Sequence, residues 1–280
     1  MNWKEKVNEA RRRRALLCIG LDTDMEKFPE DMRKGDLPQF ERNRELIDAT
    51  GHLAAAFKLN QAFYEVEGPR GCEALERTVA YIKKEHPEIL IILDAKKGDI
   101  GNTSRAYSKA AFDRIGVDSI TVNAYMGKDA VTPFSDREDK LVFVLCRTSN
   151  SAATEVQDTP CPLDPLFMRM ATLVDTWNSN GNLGVVVGAT FPDEIRKVRE
   201  RVGYEMPLLI PGIGTQGGDL KKVLEMGTSH ETSALLINVS RGIMYSFLKE
   251  EGSDYIGSAV EAAERYSSSI RKEMEYLGRW

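Results

Sequence analysis

The stretch Ile89-Leu90-Ile91-Ile92-Leu93-Asp94-Ala95-Lys96-Lys97-Gly98-Asp99-Ile100-Gly101-Asn102-Thr103 joins an unbroken apolar run to a dense set of charges. The run Ile89–Leu93 predicts a buried strand. Side chains two apart on a strand share a face, so Asp94 and Lys96 leave its end pointing the same way. Asp99 and Thr103 come just past it, after Gly98 lets the chain turn. A carboxylate and an ammonium held side by side are costly to desolvate unless paired. Such a cost suits a reaction centre, where a tuned lysine can donate a proton. The plainer alternative is a structural ion pair at the rim of a sheet, since ion-pair networks also perturb proton affinities.

Seven further runs of the same kind flank this one: Ala15–Leu21, Ala54–Leu59, Ser119–Val122, Leu141–Cys146, Leu183–Ala189, Leu208–Pro211 and Leu235–Val239. Segments long enough for a helix separate most of them. Apolar spacing of three or four marks Glu73–Lys84, Ser104–Ile115, Leu166–Trp177 and Glu194–Val202 as helical. Alternation of strand and helix predicts a parallel sheet with helical crossovers. Eight such units in 280 residues point to an α/β fold of the (β/α)₈ TIM-barrel type. An open doubly wound sheet is the alternative, although no G-x-G-x-x-G follows the first strand. Extra helices are expected at both ends, over 2–14 and 254–277. No internal repeat or low-complexity linker divides the chain, so residues 1–280 are read as one catalytic domain.

Composition narrows the function. A hydrophobic share of 42% and a charged share of 29% are ordinary for a globular protein. A formal net charge of -5 argues against nucleic acid as a partner, and Arg11–Arg14 read as a solvated helix face. No apolar run approaches the ~18 residues of a membrane helix, and the basic N-terminus lacks an apolar segment of signal-peptide type. The four cysteines form no C-x-x-C pair, and Cys18 and Cys146 sit in apolar runs, as buried thiols of a cytoplasmic protein would. None of the three histidines, His52, His86 and His230, stands at a predicted strand end. A histidine-based triad or a multi-histidine metal site is therefore not expected.

Polar residues gather where the predicted strands end: Asp22 after the first, Lys58 and Asn60 at the second, Asp94, Lys96 and Asp99 at the third. Asn123 follows the fourth, and Arg147, Ser149 and Asn150 the fifth. Barrel enzymes carry their active sites at this rim. After the seventh strand comes Pro211-Gly212-Ile213-Gly214-Thr215-Gln216-Gly217-Gly218-Asp219, and after the eighth Asn238-Val239-Ser240-Arg241-Gly242-Ile243. Glycine-rich loops at these two places are the usual phosphate cradle of a barrel. Arg241 can offer a guanidinium and Gln216 a neutral donor; simple tight turns are the competing reading. Residues 148–165 show little apolar periodicity, and so long a loop beside Ser149 is expected to be a lid.

Lys58, the D-x-K-x-x-D of Asp94, Lys96 and Asp99 continuing as D-I-G-N-T, and the PGIGTQGGD and Ser240-Arg241 loops together resemble the orotidine 5′-phosphate decarboxylase family, in its longer bacterial-type branch. The resemblance spans Asp22 to Arg241, and two loop positions, Ala124 and Ser151, depart from the proline of many relatives. It implies removal of CO₂ from C6 of orotidylate to give UMP, in pyrimidine biosynthesis, without metal or organic cofactor. Lys58, Asp94, Lys96 and Asp99 match the family's charged tetrad, with Lys96 as the proton donor to C6. Asp99 would come from the partner subunit of a homodimer. Asp22, Lys58 and Thr103 would bind ribose hydroxyls, with Asn60 and Asn123 near the substrate. Ser149 would bond the pyrimidine, and Gln216, Gly217, Ser240 and Arg241 would hold the phosphate. Sugar-phosphate decarboxylases and synthases of the same superfamily share D-x-K-x-x-D but bind magnesium, with a carboxylate where this chain has Lys58.

Overall fold

A computed structural model describes residues 1–214, 217–230, 234–249 and 254–280. Eight parallel strands succeed one another: β1 (Leu17–Gly20), β2 (Ala54–Asn60), β3 (Leu90–Lys97), β4 (Ser119–Val122), β5 (Leu141–Arg147), β6 (Leu183–Val187), β7 (Leu208–Pro211) and β8 (Leu235–Val239). Each bonds to the next and β8 bonds to β1, so the sheet closes. Closure leaves no sheet edge, and the open doubly wound alternative is excluded.

Helices cross between the strands, among them Pro38–Thr50, Gly68–Glu85, Gly101–Lys109, Leu166–Trp177, Pro192–Val202 and Leu220–Gly227. Leu166–Trp177 has the bounds its periodicity predicts. Pro192–Val202 starts two residues before the apolar pattern, because Pro192 fits a first helical turn where its missing N–H costs nothing. The expected helix over 104–115 instead runs Gly101–Lys109 and then widens into a π turn, Ala110–Ile115. Further helices stand at both ends, Trp3–Arg12 and Tyr255–Tyr276.

The strands divide two cores by their period of two. Outward residues such as Ile19, Phe57, Ile91, Val144 and Ile237 pack beneath the helices. Inward residues, including Cys18, Ala56, Ile92, Phe143, Val186, Leu209 and Leu236, fill the lumen. Phe143 can lie across that lumen because Gly184 faces it: a Cβ there would stand 2.8 Å from the ring. The lumen is thus packed with side chains, and the polar strand ends lie above this packing at the upper end.

The helix Trp3–Arg12 seals the lower end. Asn2 and Glu5 form its capping box, which fixes its start. Its buried Lys6 donates to Asp118 Oδ2 at 2.7 Å and to the carbonyl of Ile89 at 3.1 Å, while the same carboxylate oxygen accepts the Ile91 N–H at 2.9 Å. Both side chains are almost wholly out of water. Lys6→Met is therefore expected to strand the Asp118 charge and to cost about 3 kcal/mol of stability, read from urea denaturation.

Candidate active site

Three inward positions at the upper ends of adjacent strands carry the charges. Lys58 faces in from β2, Asp94 from β3, and Asp22 lies two residues past β1. Lys58 Nζ stands 3.2 Å from Asp22 Oδ1 and 3.1 Å from Asp94 Oδ2. Lys96 Nζ meets the other oxygen of Asp94 at 2.7 Å. Charge thus alternates along Asp22, Lys58, Asp94 and Lys96. Lys58 is sunk deepest, with 4% of its side chain exposed, whereas Lys96 shows 48% to the open cavity.

Burial by itself would raise the Asp94 carboxyl, but the Lys58 and Lys96 ammoniums and a hydroxyl bond hold it well below the usual carboxylate range. Burial would likewise depress Lys58, yet Asp22 and Asp94 lift it above an ordinary lysine. The two partners stabilise each other's charged form, so the pair stays ionised across the neutral range. Below them in the lumen, burial pushes the Cys18 thiol up to about 12 and keeps it protonated.

A break in the sheet places Lys96. Leu93 pairs with Ile120 and Lys97 with Val122, so Asp94, Ala95 and Lys96 together face only Thr121 of β4. The surplus residues bulge, and Lys96 takes a left-handed backbone with φ +48°, a rare state for a residue with a Cβ. Thr121 holds this bulge from both sides. Its hydroxyl accepts the Lys96 N–H at 2.9 Å and donates to Asp94 Oδ1 at 2.9 Å. Sequence reading passed over Thr121. Alternation could have found it, since Ile120 and Val122 point outward and leave Thr121 as the inward polar residue at a strand end.

These groups form one wall of a cavity of about 360 Å³ at the barrel mouth. Leu145, Val186 and Leu209 make its apolar floor, and Pro211, Gly212, Ile213, Ser240 and Arg241 the opposite wall. Two glycines admit hydroxyls to it. A Cβ on Gly20 would stand 1.8 Å from Ser240 Oγ, and one on Gly188 2.9 Å from the Ser149 Cβ. Asn238, a further lining residue not singled out from the sequence, donates to Ser240 Oγ at 3.4 Å. In the loop after β7 the Gly217 N–H donates to the carbonyl of Gly214, and both residues stand at positive φ. Gln216 lies outside the described residues.

Asp22, Lys58, Asp94, Lys96, Ser149, Ser240 and Arg241 are thus brought together. Asn60, Asp99, Thr103, Asn123 and Gly217 do not line the cavity. Asn60 Oδ1 accepts the Ala62 N–H, Asn123 Oδ1 the Tyr125 N–H, and Asp99 Oδ1 the N–H of its neighbour Ile100. Arg147 departs from the expected rim position. A register shift between Leu145 and Arg147 turns its side chain outward, where Asp158 (2.8 Å) and Glu194 (2.5 Å) pair with it between Phe167 and Phe191. The expected lid is not structureless. Ser151–Ala153 and Thr154–Gln157 form helical turns, and Gln157 bonds both the N–H and the hydroxyl of Thr148. Among the described residues, no group of three or more His, Cys, Asp or Glu side chains is placed to hold a metal ion.

Comparison with known proteins agrees with this geometry. A relative from Halorubrum lacusprofundi named orotidine 5′-phosphate decarboxylase is 44% identical over 267 residues, covering 92% of this chain and 94% of its own. The solved OMP decarboxylase of Leishmania donovani superposes with a TM-score of 0.82 at 35% identity, covering 97% of this chain and 99% of that one. Against the UMP synthase of the same organism the TM-score is 0.84 at 36% identity, and the match covers 98% of this chain but only 56% of that longer protein. A family model described as orotidine 5′-phosphate decarboxylase / HUMPS matches residues 15–253. With the closed barrel and its line of alternating charges, these matches establish that the chain belongs to the orotidine 5′-phosphate decarboxylase / HUMPS family.

Proposed function

We propose that this protein converts orotidine 5′-phosphate to UMP and CO₂ in pyrimidine biosynthesis. One observation carries the choice within the family. Lys58 Nζ lies within 3.2 Å of one carboxylate and 3.1 Å of another. A divalent cation shared by Asp22 and Asp94 would need the same space and would meet a fixed ammonium. The magnesium-dependent chemistry of the sugar-phosphate branch is therefore disfavoured at this position, and a cofactor-free reaction is favoured.

The proposed roles follow from the walls of the cavity. The phosphate rests against Gly212, Ser240 and Arg241 of the cavity wall, with Gln216 and Gly217, in the loop that carries Gly212, proposed to close over it. The ribose lies toward Asp22 and Lys58, and the pyrimidine reaches Ser149. That arrangement brings C6 and its carboxylate toward Asp94 and Lys96. The C6–carboxylate bond breaks with its electron pair left on C6, and CO₂ departs. Lys96 Nζ stabilises that pair and then gives C6 a proton, becoming a neutral amine that regains its proton from water. Preorganised charge in a site shielded from water stabilises such a transition state more than any other single effect. Phosphate binding far from the reacting carbon can supply energy that acts only in the transition state.

Asp99 and Thr103 are proposed to serve the neighbouring subunit's site in a homodimer. Both stand outside their own cavity, on the side of the barrel mouth where the loops after β2, β3 and β4 adjoin. The Gln61 N–H donates to the Asp94 carbonyl, and Gly98 abuts the Asn123 backbone. These same loops expose Val66, Ile100, Tyr125 (86%) and Met126, a surface suited to burial against a second copy. The end helices pack onto the barrel through Lys6 and through Tyr255, which supports reading residues 1–280 as one catalytic domain. All four cysteines are free, as a cytoplasmic location would allow. No helix among the described residues is long and apolar enough to cross a membrane.

Loss of orotidylate absorbance in EDTA-treated buffer tests the assignment. Wild-type turnover is expected to persist in chelator, and rescue by magnesium alone would favour the sugar-phosphate branch. Lys96→Ala should lower kcat by at least ~10⁴-fold while retaining affinity for UMP. Binding of UMP by a wild type that never decarboxylates would leave only a nucleotide-binding barrel. Mixing inactive Lys96→Ala and Asp99→Ala chains should restore activity as hybrid dimers form, each with one intact site; no recovery would put Asp99 in its own chain's site. Thr121→Val, which keeps the volume and removes both hydroxyl bonds, should reduce kcat/KM by about 10–100-fold in steady-state assays.

A further inference from the structure

Tyr245 joins two parts of the site that are remote in sequence. It follows the helical turn Arg241–Met244, and its N–H bonds the Arg241 carbonyl at 3.2 Å. Its hydroxyl reaches across to the loop after β1, donating to the Asp22 carbonyl at 2.7 Å and accepting the Asp24 N–H at 2.7 Å. Burial raises the phenol well above its ordinary range, so the proton needed for donation stays in place. The ring packs edge-on against Phe28 at 5.7 Å and lies under the Lys27 ammonium at 5.1 Å. Asp22 is gripped from the other side too, because Tyr64 donates to the Leu21 carbonyl at 2.8 Å.

We propose that Tyr245 is a positioning residue that ties the Arg241 segment to Asp22 and so fixes the distance between the anion cradle and the Asp22–Lys58 pair. It touches neither a reacting atom nor the cavity surface; it acts through the Asp22 backbone. The chain at Asp22 is only partly buried, and no regular structure spans residues 21–24. Without the tyrosine hydroxyl, that short link would still be held by the Tyr64 bond, by Lys58, and by Gln39 and Asn43 on Thr23, but the Asp22 carbonyl would lose the side chain that joins it to the Arg241 segment. A shift of a few tenths of an ångström there moves the carboxylate against which Lys58 is oriented, and misplacement on that scale is felt in turnover. The inference rests on the decarboxylase reading for its kinetic consequence, but not for its structural one.

The test compares wild type, Tyr245→Phe, Asp22→Asn and the double variant, with Phe28→Leu as a packing control. Tyr245→Phe keeps the ring and loses only the hydroxyl. It should lower kcat/KM for orotidylate about tenfold, chiefly through kcat, yet cause no further loss in the Asp22→Asn background. Phe28→Leu should lower the melting temperature and leave kcat/KM within about twofold, since it disturbs the same aromatic cluster without breaking the bond. Amide hydrogen exchange over residues 21–26 should quicken about tenfold in Tyr245→Phe and hardly at all in Phe28→Leu. An unchanged kcat/KM, an equal loss with and without Asp22, or unaltered exchange would each overturn the inference. Faster exchange in a protein that fails to decarboxylate orotidylate would sink the functional reading and leave the tyrosine link standing.

Discussion

The Asp94 carboxylate is the point on which the upper half of the barrel depends. It receives an ammonium on each oxygen, Lys58 on one and Lys96 on the other, together with the Thr121 hydroxyl. A charge buried without partners would be neutralised or would destabilise the fold, and here each ion is made tolerable by its neighbours. Removing Lys58, the most buried of them, would leave both Asp22 and Asp94 without their shared ammonium. That mutual dependence makes the line of charges rigid, and rigidity is what a site must have to stabilise charge that appears only in a transition state.

Rigidity at Asp94 is obtained by straining Lys96, two residues further on. A regular β3 would run past β4 without interruption, with its hydrogen bonds complete. Instead the strand gives up regular pairing over three residues and puts Lys96 in a left-handed backbone state. Such states cost about 1–3 kcal/mol and persist where the surroundings over-determine them. Thr121 bonds both ends of the bulge, the Asp94 carboxylate and the Lys96 N–H. The result delivers an ammonium into the cavity from a strand, a stiffer support than a loop.

The two halves of the mouth differ in how complete they are. The cradle side, from Pro211 to Arg241, and the charged side, from Asp22 to Lys96, enclose one cavity within a single chain. The third edge, over the loops after β2, β3 and β4, ends in exposed apolar side chains with Asp99 and Thr103 among them. A closed site around a charged reaction needs that edge covered, because water there would weaken every interaction inside. In the single chain that edge stands open to water, and the proposed homodimer would cover it.

The amino-acid sequence alone determined eight alternating strand–helix units, because apolar runs and helical periodicities in 280 residues have few other solutions, while the pairing of β8 with β1 decided a closed barrel over an open sheet. The sequence also determined the charged block at Asp94–Asp99 and the order of the glycine loops, since these are local and sit at strand ends. Which of those residues share a cavity was decided by register and by bulges, which depend on contacts between strands far apart in sequence. Arg147 stands at a strand end as Lys96 does, yet one register shift turns it away from the cavity and another brings Lys96 in. Thr121 and Tyr245 carry no motif; their importance lies in partners 25 and 223 residues away. A side chain's neighbours along the chain set its local conformation, but only the closed barrel sets what it faces.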